Sequence, residues 1–164
     1  MTATQKIILG FDPGIADTGF GVISKEGSKL KFIDTGSIQT AKGRELSVRL
    51  EEIYNSVIKL IKKYNPEIVS VEKLYFAKNV KTALDVGQAR GVVMLAIQQR
   101  QKELIEFTPL QIKQAVTGNG QASKRQVGLM VKTILNLQAV PKPDDAADAL
   151  AAAIAAAFFN RKLV

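Results

Sequence analysis

The first quarter of the chain alternates short apolar runs with short polar breaks, a pattern typical of successive β-strands. The first apolar run ends at Asp12, a second covers residues 19–24, and a third lies near residues 30–39. A polar turn, residues 25–28, separates the last two runs. Because the connections are so short, we predict that the three strands pair antiparallel, as a meander.

Helical spacing begins after residue 45. Apolar residues recur at helical intervals from Leu46 to Tyr64, and Asn65-Pro66 ends this helix. A short strand over residues 67–72 and a second long helix over about residues 80–102 follow. The second helix is apolar on two sides. It therefore lies either between the sheet and another layer of the same domain or against another subunit.

The remainder of the chain predicts one strand and three helices. A strand covers residues 104–107, and Thr108 begins a helix through a capping box that Gln111 completes. Ser123 is placed to cap a further helix. Asp144 is predicted as the N-cap of a final alanine-rich helix, whose small side chains allow close packing on a sheet.

The order of these elements is βββαβαβααα. It predicts an α/β fold in which a mixed five-stranded sheet, with three antiparallel strands plus parallel strands, is flanked by helices on both faces. The length fits a single domain spanning residues 1–164. We expect no targeting segment, because the N-terminal MTATQKIILGF has one lysine and only a very short apolar run. We also expect no membrane-spanning helix, because the longest apolar stretch, residues 149–159, is short and rich in alanine.

The amino-acid composition limits the kinds of catalytic and metal-binding site that this protein can form. The 164 residues include neither cysteine nor histidine, which excludes disulfides, thiolate nucleophiles and imidazole ligands. A metal ion in this protein would have to be held by oxygen atoms, which favours magnesium or manganese. The formal net charge of +8 favours an anionic partner such as nucleic acid.

Four carboxylates are candidates for a shared site. Asp12 and Glu72 end the first and fourth strands, which could be neighbours, and Asp145 and Asp148 are one helical turn apart. Two of them have simpler alternatives, since Asp12 could stabilise the following turn and Glu72 could mark a strand emerging into solvent. Together they predict a two-metal site, with ions about 3.5–4 Å apart, that hydrolyses phosphodiesters.

Basic and aromatic residues suggest contacts with DNA. Lys124 and Arg125 fall in the first turn of a helix, where the dipole disfavours cations unless a phosphate binds there. The alternative is a pair of flexible, solvated side chains. In the segment KLYFAKNVK, Tyr75 and Phe76 alternate with lysines such as Lys78, a pattern that suits base stacking. For Phe76 we prefer a role in the core.

The segments ILGFDPGIADTGFGV, VEKLYFAKN, GQARG and DAADALA occur in this order. The chain thereby resembles, nearly end to end, the RuvC family of Holliday-junction resolvases within the RNase H-like superfamily. The resemblance implies that Asp12, Glu72, Asp145 and Asp148 bind two Mg²⁺ ions, with Mn²⁺ able to substitute. Asp12 would bridge both ions. Some relatives carry a histidine in place of Asp148, so this chain keeps an all-oxygen site.

The resemblance also implies a function and partners. The expected protein is a homodimer of the bacterial cytoplasm that nicks two opposing strands of four-way junction DNA symmetrically, in recombination and repair. A RuvA–RuvB branch-migration complex would be a further partner. Lys113 and Lys124 match lysines near the scissile phosphate, with Lys124 helping to stabilise the transition state. Tyr75 matches the stacking aromatic, and Lys78 and Arg125 are further expected DNA contacts.

Three other functions compete with this interpretation. Actin-like and sugar-kinase phosphotransferases also use an Asp-x-Gly turn, but they need a second related domain, for which 164 residues leave no room. An RNase H-like nuclease that acts on RNA is a nearer alternative, against which VEKLYFAKN and DAADALA argue. A junction-binding protein without activity would be expected to have lost at least one of the four acids.

Overall fold

The computed structural model describes residues 4–74 and 80–159, and these form a five-stranded sheet and five α-helices in the predicted order. The strands are β1 (Lys6–Asp12), β2 (Asp17–Glu26), β3 (Lys29–Gln39), β4 (Ile68–Glu72) and β5 (Glu103–Phe107). The helices are α1 (Leu46–Tyr64), α2 (Val80–Gln99), α3 (Pro109–Thr117), α4 (Lys124–Ile134) and α5 (Asp144–Phe158).

The sheet has the strand order β3-β2-β1-β4-β5. Strands β1, β2 and β3 pair antiparallel, whereas β4 is parallel to both β1 and β5. This confirms the predicted mixed sheet. Because Phe11 of β1 pairs with Val71 of β4 in parallel, the next residues, Asp12 and Glu72, end their strands side by side at the same edge of the sheet.

Helices cover both faces of the sheet, as predicted. Helices α1 and α2 pack on one face, where Leu9 and Phe11 are fully buried, and α3, α4 and α5 cover the other, where Ile8 is buried. This alternation follows from the two-residue period of a strand, which sends neighbouring side chains of β1 to opposite faces. The strand at the centre of the sheet is therefore apolar on both sides until it reaches Asp12.

Helix α5 lies unusually close to the sheet. A Cβ atom on Gly10 of β1 would stand 2.1 Å from the carbonyl oxygen of Ala149, and one on Gly19 of β2 would stand 2.0 Å from that of Asp145. Neither position tolerates a side chain without movement of a backbone. Glycine on the sheet and alanine on the helix thus allow the close packing predicted from composition, and they determine where the first turn of α5 lies.

Helix α2 differs from its prediction in extent and in how it is covered. It ends at Gln99, three residues before the predicted end, because Gln101 adopts a left-handed conformation. One side of the helix, which includes Val93, is fully buried against the sheet and α1. On the other side, Val80 and Leu84 are 71% and 62% exposed. Within residues 4–74 and 80–159, the chain covers only one of the two apolar sides of α2.

The capping predictions are confirmed for two helices and wrong for the third. Both Thr108 and Ser123 form complete capping boxes, at the starts of α3 and α4. In α5 the N-cap is Pro143, and Asp144 is already the first helical residue, where its carboxylate lies near Lys124 instead.

Among the described helices, none combines the length and the apolar character needed to cross a membrane.

Candidate active site

Four predicted acids meet at the edge of the sheet where β1 and β4 end. One carboxylate oxygen each from Asp12, Asp145 and Asp148 lie within 4.8 Å of one another. Glu72 lies beside them, close enough for its charge to raise the pKa of Asp12. The structure therefore brings together Asp12, Glu72, Asp145 and Asp148, which we call the acid cluster.

The turn after Asp12 is stabilised without the Asp12 carboxylate. The hydroxyl of Thr18 donates a hydrogen bond to the carbonyl oxygen of Gly14 at 2.7 Å and accepts one from its amide at 3.3 Å. The carboxylate of Asp12 instead shares a hydrogen bond with Asp145. The structural alternative for Asp12, stabilisation of the turn, is therefore not supported.

Asp12, Glu72 and Asp148 hold their protons more tightly than free carboxylates do. Burial, with repulsion from Asp148, Glu72 and Asp145, raises the pKa of Asp12 to about 8. Burial is also the main cause of the raised pKa values of Glu72 and Asp148, which Lys124 partly offsets. A divalent cation would relieve this repulsion. The ligands are all oxygen atoms, so the cluster fits a hard ion such as Mg²⁺ or Mn²⁺.

We expect the metal-free protein to lose stability as the pH rises. The pKa of Asp12 is about 8 in the folded protein, against an ordinary value of 3.8. The folded state therefore binds more protons than the unfolded chain between these values, and the free energy of unfolding falls from about pH 4 to about pH 8. Thermal melts in EDTA, compared between the wild type and Asp12→Asn, measure this slope. An identical pH profile in the two proteins would contradict the prediction.

Lysine side chains stand next to the acid cluster. Lys113 and Lys124 line a cavity of about 220 Å³ together with Glu72 and Asp148. The Nζ atom of Lys124 is 2.9 Å from an oxygen of Asp148, and this bond raises the pKa of Lys124. A cation in the first turn of α4 is thus stabilised by an acid from α5. Arg125 is exposed, and Tyr75 and Lys78 lie outside the described residues.

A second cavity, of about 190 Å³, adjoins the cluster on the side of α2, and its lining includes Asp12, Glu72, Lys73 and Arg90. Sequence reasoning did not select Lys73 or Arg90 as site residues. The sequence does offer a sign that Arg90 matters, because it is a charged residue of the segment GQARG within a helix that is otherwise largely apolar.

Comparison with known proteins identifies relatives over almost the whole chain. A family model, Crossover junction endodeoxyribonuclease RuvC, matches residues 8–156. The protein of that name from Halothermothrix orenii is 54% identical over 148 residues, which are 90% of this chain and 90% of the relative. The one from Rubrobacter xylanophilus is 49% identical and covers 96% of this chain and 88% of its own.

Solved structures that resemble this chain point to the same family as these sequence relatives. RuvC from Thermus thermophilus, in complex with a Holliday junction substrate, is 34% identical with a TM-score of 0.90, covering 96% of each chain. A yeast mitochondrial Holliday junction resolvase is 17% identical with a TM-score of 0.67, a likeness that concerns the fold alone. The fold is thus the RNase H-like architecture expected from the sequence. By its family match and its relatives at about half identity, this chain belongs to the RuvC family of crossover junction endodeoxyribonucleases.

Proposed function

We propose that this protein is a structure-specific endonuclease that resolves Holliday junctions by paired, symmetric nicks, in DNA recombination and repair. The observation that carries the proposal is the convergence of Asp12, Asp145 and Asp148 within 4.8 Å, beside two lysines, in a chain of this family. The relative from Thermus thermophilus, whose structure contains a Holliday junction, supports the choice of substrate. We place the activity in the bacterial cytoplasm and assign it to one nuclease domain, residues 1–164.

The acid cluster would hold two Mg²⁺ ions, with Mn²⁺ able to substitute. When bound, such ions lower the pKa of the attacking water and stabilise the leaving oxygen. Asp12, whose pKa is raised by each of the other three carboxylates, would be shared between the two ions, as the family resemblance implies. Glu72 would serve one ion, and Asp145 and Asp148 the other, as the family resemblance implies.

The basic residues of the chain would bind and orient the scissile strand. Lys124 stays protonated through its bond to Asp148, so it keeps a positive charge at the rim of the acid cluster. There it would stabilise the negative charge that develops on the phosphate, together with Lys113, which lines the same cavity. Arg125, Lys78 and the stacking residue Tyr75 complete the proposed DNA contacts.

A second copy of the chain would cover the open side of α2. A groove of about 310 Å³ lies there, and three of its lining residues, Leu74, Val80 and Leu84, are exposed and apolar. The remaining lining residues are Ala83, Gly87 and Gln88. An exposed apolar surface of this kind marks a contact between proteins. A two-fold dimer would also provide two active sites for two symmetric nicks. Association with a RuvA–RuvB complex rests on the family resemblance alone.

Replacing Leu84 by Asp is expected to dissociate the dimer, because it would bury a carboxylate in the apolar contact. Sedimentation equilibrium should then give the mass of one chain, and paired nicks in one junction should become independent single nicks. The matched control is Leu129→Asp on α4, where Leu129 is 45% exposed. A dimer that survives Leu84→Asp but not Leu129→Asp would move the interface to α4.

The test of the proposed function is cleavage of a synthetic four-way DNA junction in Mg²⁺, with linear DNA and RNA duplexes as controls. We expect symmetric nicks in opposing strands of the junction alone. Tight binding to the junction without cleavage, in Mg²⁺ or Mn²⁺, would favour a binding protein instead. Cleavage of the RNA duplex would place the protein in another branch of the RNase H-like superfamily.

A further inference from the structure

We propose that Arg90 is a positioning residue that holds Glu72 at the acid cluster. It reaches from α2 to the end of β4 and to the adjacent strand β5. The inference rests on the proposed function, in which Glu72 is a metal ligand.

The geometry of the contact is specific to a guanidinium group. The Nε–H of Arg90 donates to the main-chain carbonyl oxygen of Glu72 at 3.1 Å, and Nη2 donates to Oε1 of Glu106 on β5. The side chains of Arg90 and Glu106 are 19% and 30% exposed, so this ion pair is mostly shielded from water. A planar group with several fixed donors can join two strands at once, which a lysine ammonium cannot do in the same way.

The end of β4 needs such a support. The pairing of β4 with β1 extends only as far as Val71 and Phe11, one residue before Glu72. On the other side, Glu72 pairs with Phe107, and the amide of Lys73 donates to the Phe107 carbonyl oxygen at 2.7 Å. Arg90 therefore supplies a hydrogen bond to Glu72 where the ladder to β1 has ended.

A purely structural reason for Arg90 is weak. Burying an ion pair removes two charges from water, and an apolar pair of similar size is often at least as stable. The neighbouring inward positions Ala89 and Val93 are fully buried apolar residues. Arg90 also lines the cavity that contains Asp12 and Glu72. Because the positive charge of Arg90 is neutralised by Glu106, we assign Arg90 to the orientation of Glu72 and not to binding of the phosphate.

The first test compares Arg90→Lys with the wild type. We expect cleavage of saturating junction to slow by about 10–100-fold, and the Mg²⁺ concentration for half-maximal cleavage to rise, as for other residues that orient metal ligands. The junction Kd, measured in Ca²⁺, should stay within about twofold. Hydrogen exchange at the amides of residues 72–74 should accelerate. The matched control is Arg44→Lys, which alters the exposed Arg44–Glu52 ion pair in and next to α1.

The second test exchanges the two charges, as Arg90→Glu with Glu106→Arg. The exchange restores an ion pair between α2 and β5 but removes the donor on α2 that reaches Glu72. We expect it to recover thermal stability relative to Arg90→Glu alone, without recovering cleavage or the Mg²⁺ dependence. Recovery of all three would overturn the inference and leave Arg90 as half of an ordinary ion pair.

The outcomes separate this inference from the proposed function. A wild-type protein that does not cut junctions would contradict the proposed function, while the hydrogen exchange of residues 72–74 would still test the role of Arg90. Unchanged exchange and an unchanged rise in Tm on adding Mg²⁺ in Arg90→Lys would overturn the inference. If the charge-exchanged protein does not fold, the hydrogen exchange and the Mg²⁺-dependent rise in Tm of Arg90→Lys still test the role of Arg90.

Discussion

Replacing Asp12 by Asn is expected to abolish cleavage and, at the same time, to make the metal-free protein more stable. Asp12 is the acid on which the other three carboxylates act, so its charge is central to binding a divalent ion. We expect cleavage to fall by at least about 10³-fold, more than the loss of a single transition-state hydrogen bond usually costs. Junction binding should persist, because the basic residues remain.

The gain in stability has the same cause as the loss of activity. With a folded pKa of about 8, Asp12 is costly to ionise in the metal-free protein at neutral pH. Asparagine removes that cost, and we expect a gain of about 2 kcal/mol, which raises Tm by roughly 4–8 °C for a protein of this size. Adding Mg²⁺ should raise the Tm of the wild type and leave that of the variant nearly unchanged.

Cleavage, junction Kd and Tm with and without Mg²⁺ check both halves of this prediction. The matched control is Asp17→Asn, because the Asp17 carboxylate accepts a hydrogen bond from Ser37 at 2.8 Å and an amide oxygen can do the same. The control should leave all three quantities close to the wild type. Loss of junction binding in step with cleavage would count against a purely catalytic role for Asp12.

Replacing Gly19 by Ala is expected to damage both the fold and the site. The added Cβ would lie 2.0 Å from the carbonyl oxygen of Asp145, a contact between a strand and a helix backbone that no side-chain rotation can relieve. Helix α5 would have to move, and Asp145 would move with it. We expect a loss of about 3 kcal/mol, at the upper end for overpacked sites, and a fall in Tm of roughly 6–12 °C.

Urea unfolding gives the stability, and cleavage well below the Tm of the variant gives the effect on the site. Cleavage should be reduced even where Gly19→Ala is fully folded, since Asp145 is displaced from Asp12. The matched control is Gly43→Ala in the loop before α1, where an added Cβ would meet nothing within 4 Å. Wild-type stability and cleavage in Gly19→Ala would show that α5 adjusts without strain.

Local patterns in the sequence were sufficient to predict the elements and most of the candidate site. The apolar runs ending at Asp12 and Glu72, and the capping residues Thr108 and Ser123, are short-range signals that tertiary contacts did not override. The error at the start of α5 concerned a single residue. There Pro143 takes the N-cap position that a polar side chain usually occupies, so the usual preference for Asp misplaced the cap.

The sequence by itself determined the order of the strands and helices along the chain and the four candidate acids, and the absence of histidine and cysteine limited any metal site to oxygen ligands. Only the tertiary structure decided that β4 pairs with β1 and that α5 rests on Gly19, the two contacts that bring Glu72 and Asp145 to Asp12. It also revealed the hydrogen bond from Arg90 to Glu72 and a side of α2 that the described part of the chain leaves exposed. The physical reason is the separation along the chain over which each interaction acts. Periodicity and capping involve residues only a few positions apart, whereas strand pairing and close backbone packing join residues that are far apart in the sequence.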